Sequence, residues 1–326
     1  MLVRPWLTPF VVLFWLATSG WLLVEKILPT LAPGTPPGQQ SLHASQGMPV
    51  AWTVYWNDQP LGWSLSQSHR EDDGGMEVAN TLHFDRLPMN DILPSWAKLI
   101  LGPSFDAKAI CALDARGHLS IDPAGSLRAF RSVIGSPVSA EQVVVNGMID
   151  KGQVTVLVSA GDAHYSTSRR LPTNISLGDE LSPQARLPGL FPNRRWTVPV
   201  YSPLRPGQAP VEILHAHVAA EEALYWDDAL VRVNVVHYRD DPAGHHEPRC
   251  RLWVDRSGNV LKQESVLLGS RLVFMRRTDE AAERLLSTIG VVPSGLELPA
   301  RLELPADAAA EEPSAVEGPS TVEEPT

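Results

Sequence analysis

Two cysteines in 326 residues are too few for a disulfide scaffold or a cysteine-rich zinc module. The chain also lacks a GxSxG elbow, a P-loop, the glycine fingerprint of dinucleotide sites and an HExxH pair, so the enzyme classes most readily read from sequence are not represented. Basic residues come as short pairs, Arg169-Arg170, Arg194-Arg195 and Arg276-Arg277, and never as a long stripe, so nothing points to nucleic acid. Most of the net charge of −10 sits at the C-terminus, where eight acidic residues and one basic one, Arg301, lie between Pro293 and Thr326. That stretch, rich in proline and alanine, cannot bury enough apolar area to offset its ordering entropy, which predicts a disordered acidic tail over 291–326.

Long apolar runs are scarce too, with one exception. Thr8 to Val24 is uncharged and almost wholly apolar. At about 1.5 Å per residue, the stretch from Pro5 to Val24 matches a hydrocarbon core of roughly 30 Å, and Trp6 and Trp21 fall near its ends, where indole prefers the interface. Arg4 and the amino terminus put the positive charge on the short side, while Lys26 is offset by Glu25. The expectation is an N-terminal signal anchor over 1–28 that crosses the inner membrane once and leaves the remainder in the periplasm or outside. A cleaved signal peptide with Ala17-Thr18-Ser19 as its processing site is the alternative; the apolar run continuing through Trp21 to Val24 favours the uncleaved anchor. Residues 29–48, rich in proline and glycine, read as a linker.

From 49 to 290 the dominant signal is alternation with period two, broken by short turns. In Arg249 to Glu264, the residues Cys250, Leu252 and Val254 alternate with Arg249, Arg251 and Trp253, and Asp255 to Asn259 supplies a turn. Strands are expected at Val50 to Trp56, Leu61 to His69, Met76 to Leu87, Val143 to Ile149, Val154 to Ser159, His164 to Arg170, Val211 to Tyr225 and Leu230 to Tyr238. Ala109 to Leu119 reads as a weaker copy of the Cys250 hairpin, with a turn at Asp114 to Gly117, and so allows two similar halves. Leu171 to Gln208 carries seven prolines and reads as a long excursion held by Leu187, Leu190, Phe191 and Trp196. A short helix is expected from Asn90 or Asp91 to Leu101. Thr278 to Ser287 reads as a capped helix. The fold class is therefore mainly β: a large curved antiparallel sheet or half-barrel with one or two helices beside the transmembrane one.

Candidate chemistry is sparse. His215-Ala216-His217 directs two imidazoles to one strand face, and His237 on the next strand would complete a metal-binding or hydrolytic group, since neutral imidazole is the right ligand. Ser95 to Lys98 has SxxK spacing without its companion motifs, and the carboxylate pairs Glu221-Glu222 and Asp227-Asp228 flank a turn, where adjacent side chains point apart. No catalytic residue and no cofactor are assigned. Seven tryptophans lie outside the apolar segment; Trp52 and Trp56 share strand parity and, with Trp253, are candidates to line an apolar binding cleft. Cys111 and Cys250 could bridge outside the cytoplasm, where oxidation is allowed.

Cys250 to Lys262 followed by Leu272 to Thr278, with the segments Ser182 to Leu190 and Trp196 to Tyr201, resembles uncharacterised bacterial, planctomycete-type envelope proteins. These are membrane-anchored, with a curved antiparallel sheet allied in shape to the LolA/LolB lipoprotein-carrier superfamily. The resemblance implies a half-barrel that holds acyl chains on its concave side. This chain departs from it in having no cysteine near the N-terminus to lipidate, so no binding residue carries over. The expected role is non-enzymatic binding of a lipid-like ligand or an envelope protein partner. The alternatives are a hydrolase or metal enzyme built on the histidines and a structural envelope module.

Overall fold

The computed structural model describes residues 7–22, 37, 47–88, 110–136, 142–170, 176–177, 183–201, 211–244, 246–267 and 270–290. Most of the expected linker, the helix at Asn90 to Leu101 with its SxxK, and the acidic tail lie outside the described residues. The first helix, α1 (Leu7–Leu22), is followed by β1 (Val50–Trp56), β2 (Gln59–Arg70), β3 (Met76–Pro88), β4 (Ile110–Ile121), β5 (Leu127–Gly135), β6 (Gln142–Asp150), β7 (Gln153–Ala160) and β8 (Ala163–Arg170). Then come β9 (Ser176–Leu177), β10 (Arg195–Tyr201), β11 (Val211–Trp226), β12 (Ala229–Arg239), β13 (Cys250–Val254), β14 (Val260–Leu267), β15 (Ser270–Arg276) and the second helix, α2 (Asp279–Ile289).

The fifteen strands of the described residues form one curved sheet in the order β8-β7-β6-β5-β4-β3-β2-β1-β15-β14-β13-β12-β11-β10-β9. Fourteen pair antiparallel with each other, and β9 adds two parallel rungs to β10. The chain thus starts in the middle of its own sheet, meanders out to one edge, reappears at the other and returns until β15 pairs with β1, with Trp52 opposite Arg276 and Trp56 opposite Leu272.

Alternate residues of these strands gather on one inner face. Its larger apolar cluster unites Trp52 and Trp56 of β1 with Phe84 of β3, Trp196 of β10, Val218 of β11, Leu252 of β13 and Phe274 of β15. Strands so far apart in the sheet can share one cluster only if the sheet curls around it. A second cluster on the same face joins Val78, Ile121, Phe130, Val145 and Val156. The long strands β3 and β4 contribute to both. Between the clusters runs a register row of small or polar residues, Ser66, Asn80, Gly117 and Ser132.

The opening of the larger cluster is closed by the chain itself. Ala185 and Leu187 are buried in it. The Val260 amide donates to Ala185 O at 3.1 Å, Leu187 N donates to Gly258 O at 2.8 Å, Gln184 N donates to the Gln263 side chain at 3.0 Å, and Arg276 Nη1 donates to Ala185 O at 3.2 Å. Burial lowers the pKa of that guanidinium, with Asp279 opposing the shift.

Several expectations are corrected. No turn occurs at Asp114 to Gly117: β4 runs straight through, because Asp114 is engaged across the sheet by His83, 2.6 Å away. The repeated turn lies eight residues later. Asp122 Oδ1 accepts from Ser126 N at 2.7 Å, just as Asp255 Oδ1 accepts from Asn259 N at 2.8 Å, and Gly125 and Gly258 take the positive φ that each turn needs. Part of the proline-rich excursion is a strand, β10, which tolerates Pro199 because β9 covers only its last two residues. Phe191 is 59% exposed and does not hold the excursion, whereas Leu187 and Trp196 do. The helix read at Thr278 to Ser287 is present as α2, capped by Thr278, whose hydroxyl accepts from Ala281 N at 3.3 Å. It packs Ala282, Leu285 and Leu286 on Ala51, Leu65 and Trp63 of the outer face. Helix α1 has 16 residues, and among the described residues no helix is long and apolar enough to cross a membrane.

Gly62 is the tightest backbone approach in this packing: a Cβ there would lie 1.9 Å from the carbonyl oxygen of His83 on β3. Relief requires moving backbone, so Gly62→Ala is expected to cost about 3 kcal/mol, read as a lowered urea midpoint with an unchanged slope.

Candidate functional site

The three tryptophans read as a binding cleft do not share a face. Trp52 and Trp56 are buried in the inner core beside Trp196, and none of the three indole N–H groups has a hydrogen-bond partner among the described residues. Trp196 meets Tyr238 edge to face at 6.1 Å, and burial pushes the Tyr238 phenol well above its ordinary range. Trp253 belongs to the outer face, where its indole donates to Glu222 at 3.3 Å and the Lys262 ammonium lies 4.2 Å from its ring centre.

The outer face of β10 to β14 carries a cluster of titratable groups. Strand parity places Arg195 on the same side as Thr197, His217 with His215, His237 with Arg239 and Arg251 with Trp253. Pairing then sets Arg195 opposite His217, His217 opposite His237, His237 opposite Arg251 and Arg251 opposite Glu264. The result is one continuous row across five strands: arginine, histidine, histidine, arginine, glutamate. His215 lies on the neighbouring row, opposite Arg239.

Glu264 anchors the acidic end. Its side chain is 7% exposed and receives Arg251 at 3.5 Å, Lys262 at 3.4 Å and Arg271 at 3.7 Å. Glu247 shares Arg251 at 3.2 Å and Arg271 at 3.7 Å. Arg239 donates to the carbonyl oxygens of Gly244, at 3.1 Å, and His246.

The predicted histidine triad is therefore not gathered as a metal site. His217 and His237 face each other, but His215 is set beside an arginine. Among the described residues no group of three or more His, Cys, Asp or Glu side chains is placed to hold a metal ion. The surrounding arginines oppose a metal cation as they oppose a proton. His217 and His237 are both held below the ordinary imidazole value of 6.5. Burial is the larger cause for each. Arg195 and Arg239 add to it at His217; Arg251, Arg239 and His217 add to it at His237, against Glu222. Cys250 Sγ lies 4.0 Å from the Arg251 carbonyl oxygen, and the side chain of Cys111, its expected partner in a bridge, lies outside the described residues.

Sequence reading found the two facing histidines and missed the arginines in line with them. Their parity was legible, since each lies two residues from a neighbour on the same face. Their alignment was not, because it depends on pairing across four strands with a bulge in β11 between Val218 and Glu221.

No protein-family model matches the chain, and no curated protein does. Among solved structures it is similar to a β-barrel-like protein of a domain of unknown function, DUF1849, from Brucella abortus. The identity is 12% and the TM-score 0.42, over 72% of this chain and 98% of that one. It is also similar to a "putative lipoprotein" from Parabacteroides distasonis, with 7% identity and a TM-score of 0.22, over 74% of this chain and 98% of that one.

The depressed histidines make stability depend on pH. They bind protons more readily unfolded than folded, so their contribution is complete above the unfolded value of 6.5 and is lost as pH falls through the lower folded values. The urea midpoint is expected to drop between about pH 7 and about pH 5, and the double substitution His217→Gln/His237→Gln to flatten that drop.

Proposed function

We propose that this chain is a single-pass protein of the bacterial envelope. In this reading the segment around α1 holds it in the inner membrane, its β-sheet domain faces the extracytoplasmic side, and it acts by binding and not by catalysis. The observation that carries the reading is α1. Its sixteen residues bear no charge, and the side chains from Phe10 to Leu16 are between 50% and 68% exposed. In water that surface is unfavourable by about 25 cal/mol per Å²; in hydrocarbon the cost disappears. A helix of this length covers about 24 Å, and the apolar sequence continues on both sides through Trp6 and Leu23-Val24.

The partner is a lipid-like ligand or an envelope protein, and the curved antiparallel sheet supports kinship of build with the LolA/LolB carriers. The inner face is filled by its own core and by the segment around Ala185 and Leu187. Ligand contact therefore falls to the outer face.

The test is fractionation of bacteria producing the full chain. The protein is expected to stay with membranes through an alkaline wash and its domain to be digested by protease added to spheroplasts, whereas Leu13→Lys/Leu16→Lys moves it to the soluble fraction. Extraction of the unaltered chain by alkali, or protection of the domain in intact spheroplasts, would overturn the reading.

A further inference from the structure

Like charges set directly opposite one another on neighbouring strands destabilise a sheet. Here His217 and His237 stand between Arg195 and Arg251 in one register row, with Arg239 on the next, so a proton taken up by either imidazole meets arginine beside it. Local carboxylates balance only one end. Arg251 is shared by Glu247 and Glu264, and Arg239 is tied to backbone carbonyls, which leave its charge uncompensated. Arg195 is exposed and makes no ion pair among the described residues. A second observation is independent of the charge pattern: His217 Nε2 is shielded from solvent and has no hydrogen-bond partner among the described residues. A shielded ring nitrogen without a partner destabilises the fold unless something else completes it.

We propose that the row from Arg195 to Arg251 on the outer face is a binding site for a phosphate group. Arginine presents a planar fork of donors that matches phosphate oxygens, and imidazole adds a directional donor. Between Arg195 and Arg251 the row covers three strand spacings of about 4.8 Å each, room for one tetrahedral anion over the two histidines with an arginine on either side. Arg195 has the freedom to fold over it. The anion turns the repulsion along the row into attraction, and it favours protonated histidines, so binding tightens as pH falls. Besides the row, the charged and titratable groups facing these histidines are Arg239 and His215 on the neighbouring row and Glu222 at the Trp253 end. The site lies wholly within the sheet and stands whether or not α1 crosses a membrane.

The ³¹P line width of two probes, measured with the full chain in neutral detergent, tests this. Inorganic phosphate stands for a free anion, and glycerophosphoglycerol stands for a lipid headgroup without chains. Broadening of either probe is expected, that of the diester, whose charge is constant over this range, stronger at about pH 6 than at about pH 8, and both reduced about tenfold in Arg195→Gln and His217→Gln. Broadening of phosphate assigns the site to free phosphate, and broadening of the diester alone assigns it to a headgroup. Arg232→Gln, at an exposed arginine away from the row, is the control. The proposal is overturned if neither probe broadens, if the row variants broaden both probes as the unaltered chain does, or if Arg232→Gln is as damaging as Arg195→Gln.

Discussion

The pairing of β1 with β15 is the constraint on which the rest of this molecule depends. Without it the sheet is two separate meanders, one of eight strands from β1 to β8 and one of seven from β9 to β15. The seam is held by more than its ladder. Arg277 N donates to Ala51 O at 2.8 Å, Arg277 Nε donates to the Thr53 hydroxyl at 3.0 Å, and Asn57 and Arg271 bond each other through backbone and side chain at 2.9 Å. These partners are more than 200 residues apart in sequence. Closing so long a loop before its contacts form is entropically costly, and topologies of this kind fold slowly. The inner core also needs the seam, because Trp52 and Trp56 sit in the same cluster as Leu272 and Phe274.

How the two faces are used follows from what fills the curl. A curved sheet of this size could hold an apolar guest, but here large side chains occupy the interior and the turn at Asp255 to Asn259 docks the strap at Ala185 to Pro188. Gly258 is part of that docking: its positive φ forms the turn, and a Cβ there would lie 3.0 Å from Pro188 Cα. The chain has supplied its own guest. The outer face, by contrast, is apolar under α2 and near Trp253, and ionic between them and the β10 edge.

The strands and the C-terminal helix were legible because their signals are local. Period-two alternation marked β1, β2, β3, β6, β7, β8, β11 and β12, and Thr278 ahead of Asp279 and Glu280 marked the start of α2. Legibility failed where a residue type has two uses. Asp114 and Asp122 both precede a glycine by three residues, but only Asp122 turns the chain, since a cross-strand histidine claims the other. Pro199 excludes a strand only when neighbours on both sides need its missing N–H, and β10 has a full neighbour on one side alone. The pairing of β1 with β15 and the register of the strands could not be read, and with the register went the site. Arg195, His217, His237 and Arg251 are spread over more than fifty residues, and nothing short of the register sets them in a line.

Because β1 and β15 are antiparallel neighbours, the start of one lies beside the end of the other: Ala51 and Trp52 sit against Arg276 and Arg277. A pull between the segment leading into β1 and the segment leaving β15 would therefore act on adjacent ends of the same pair. Its hydrogen bonds would be loaded one at a time, like a zip, and not all together in shear. A sheet closed in this way resists heat and denaturant as one body, yet it is mechanically weak along the axis on which a tether at one terminus and a load at the other would strain it.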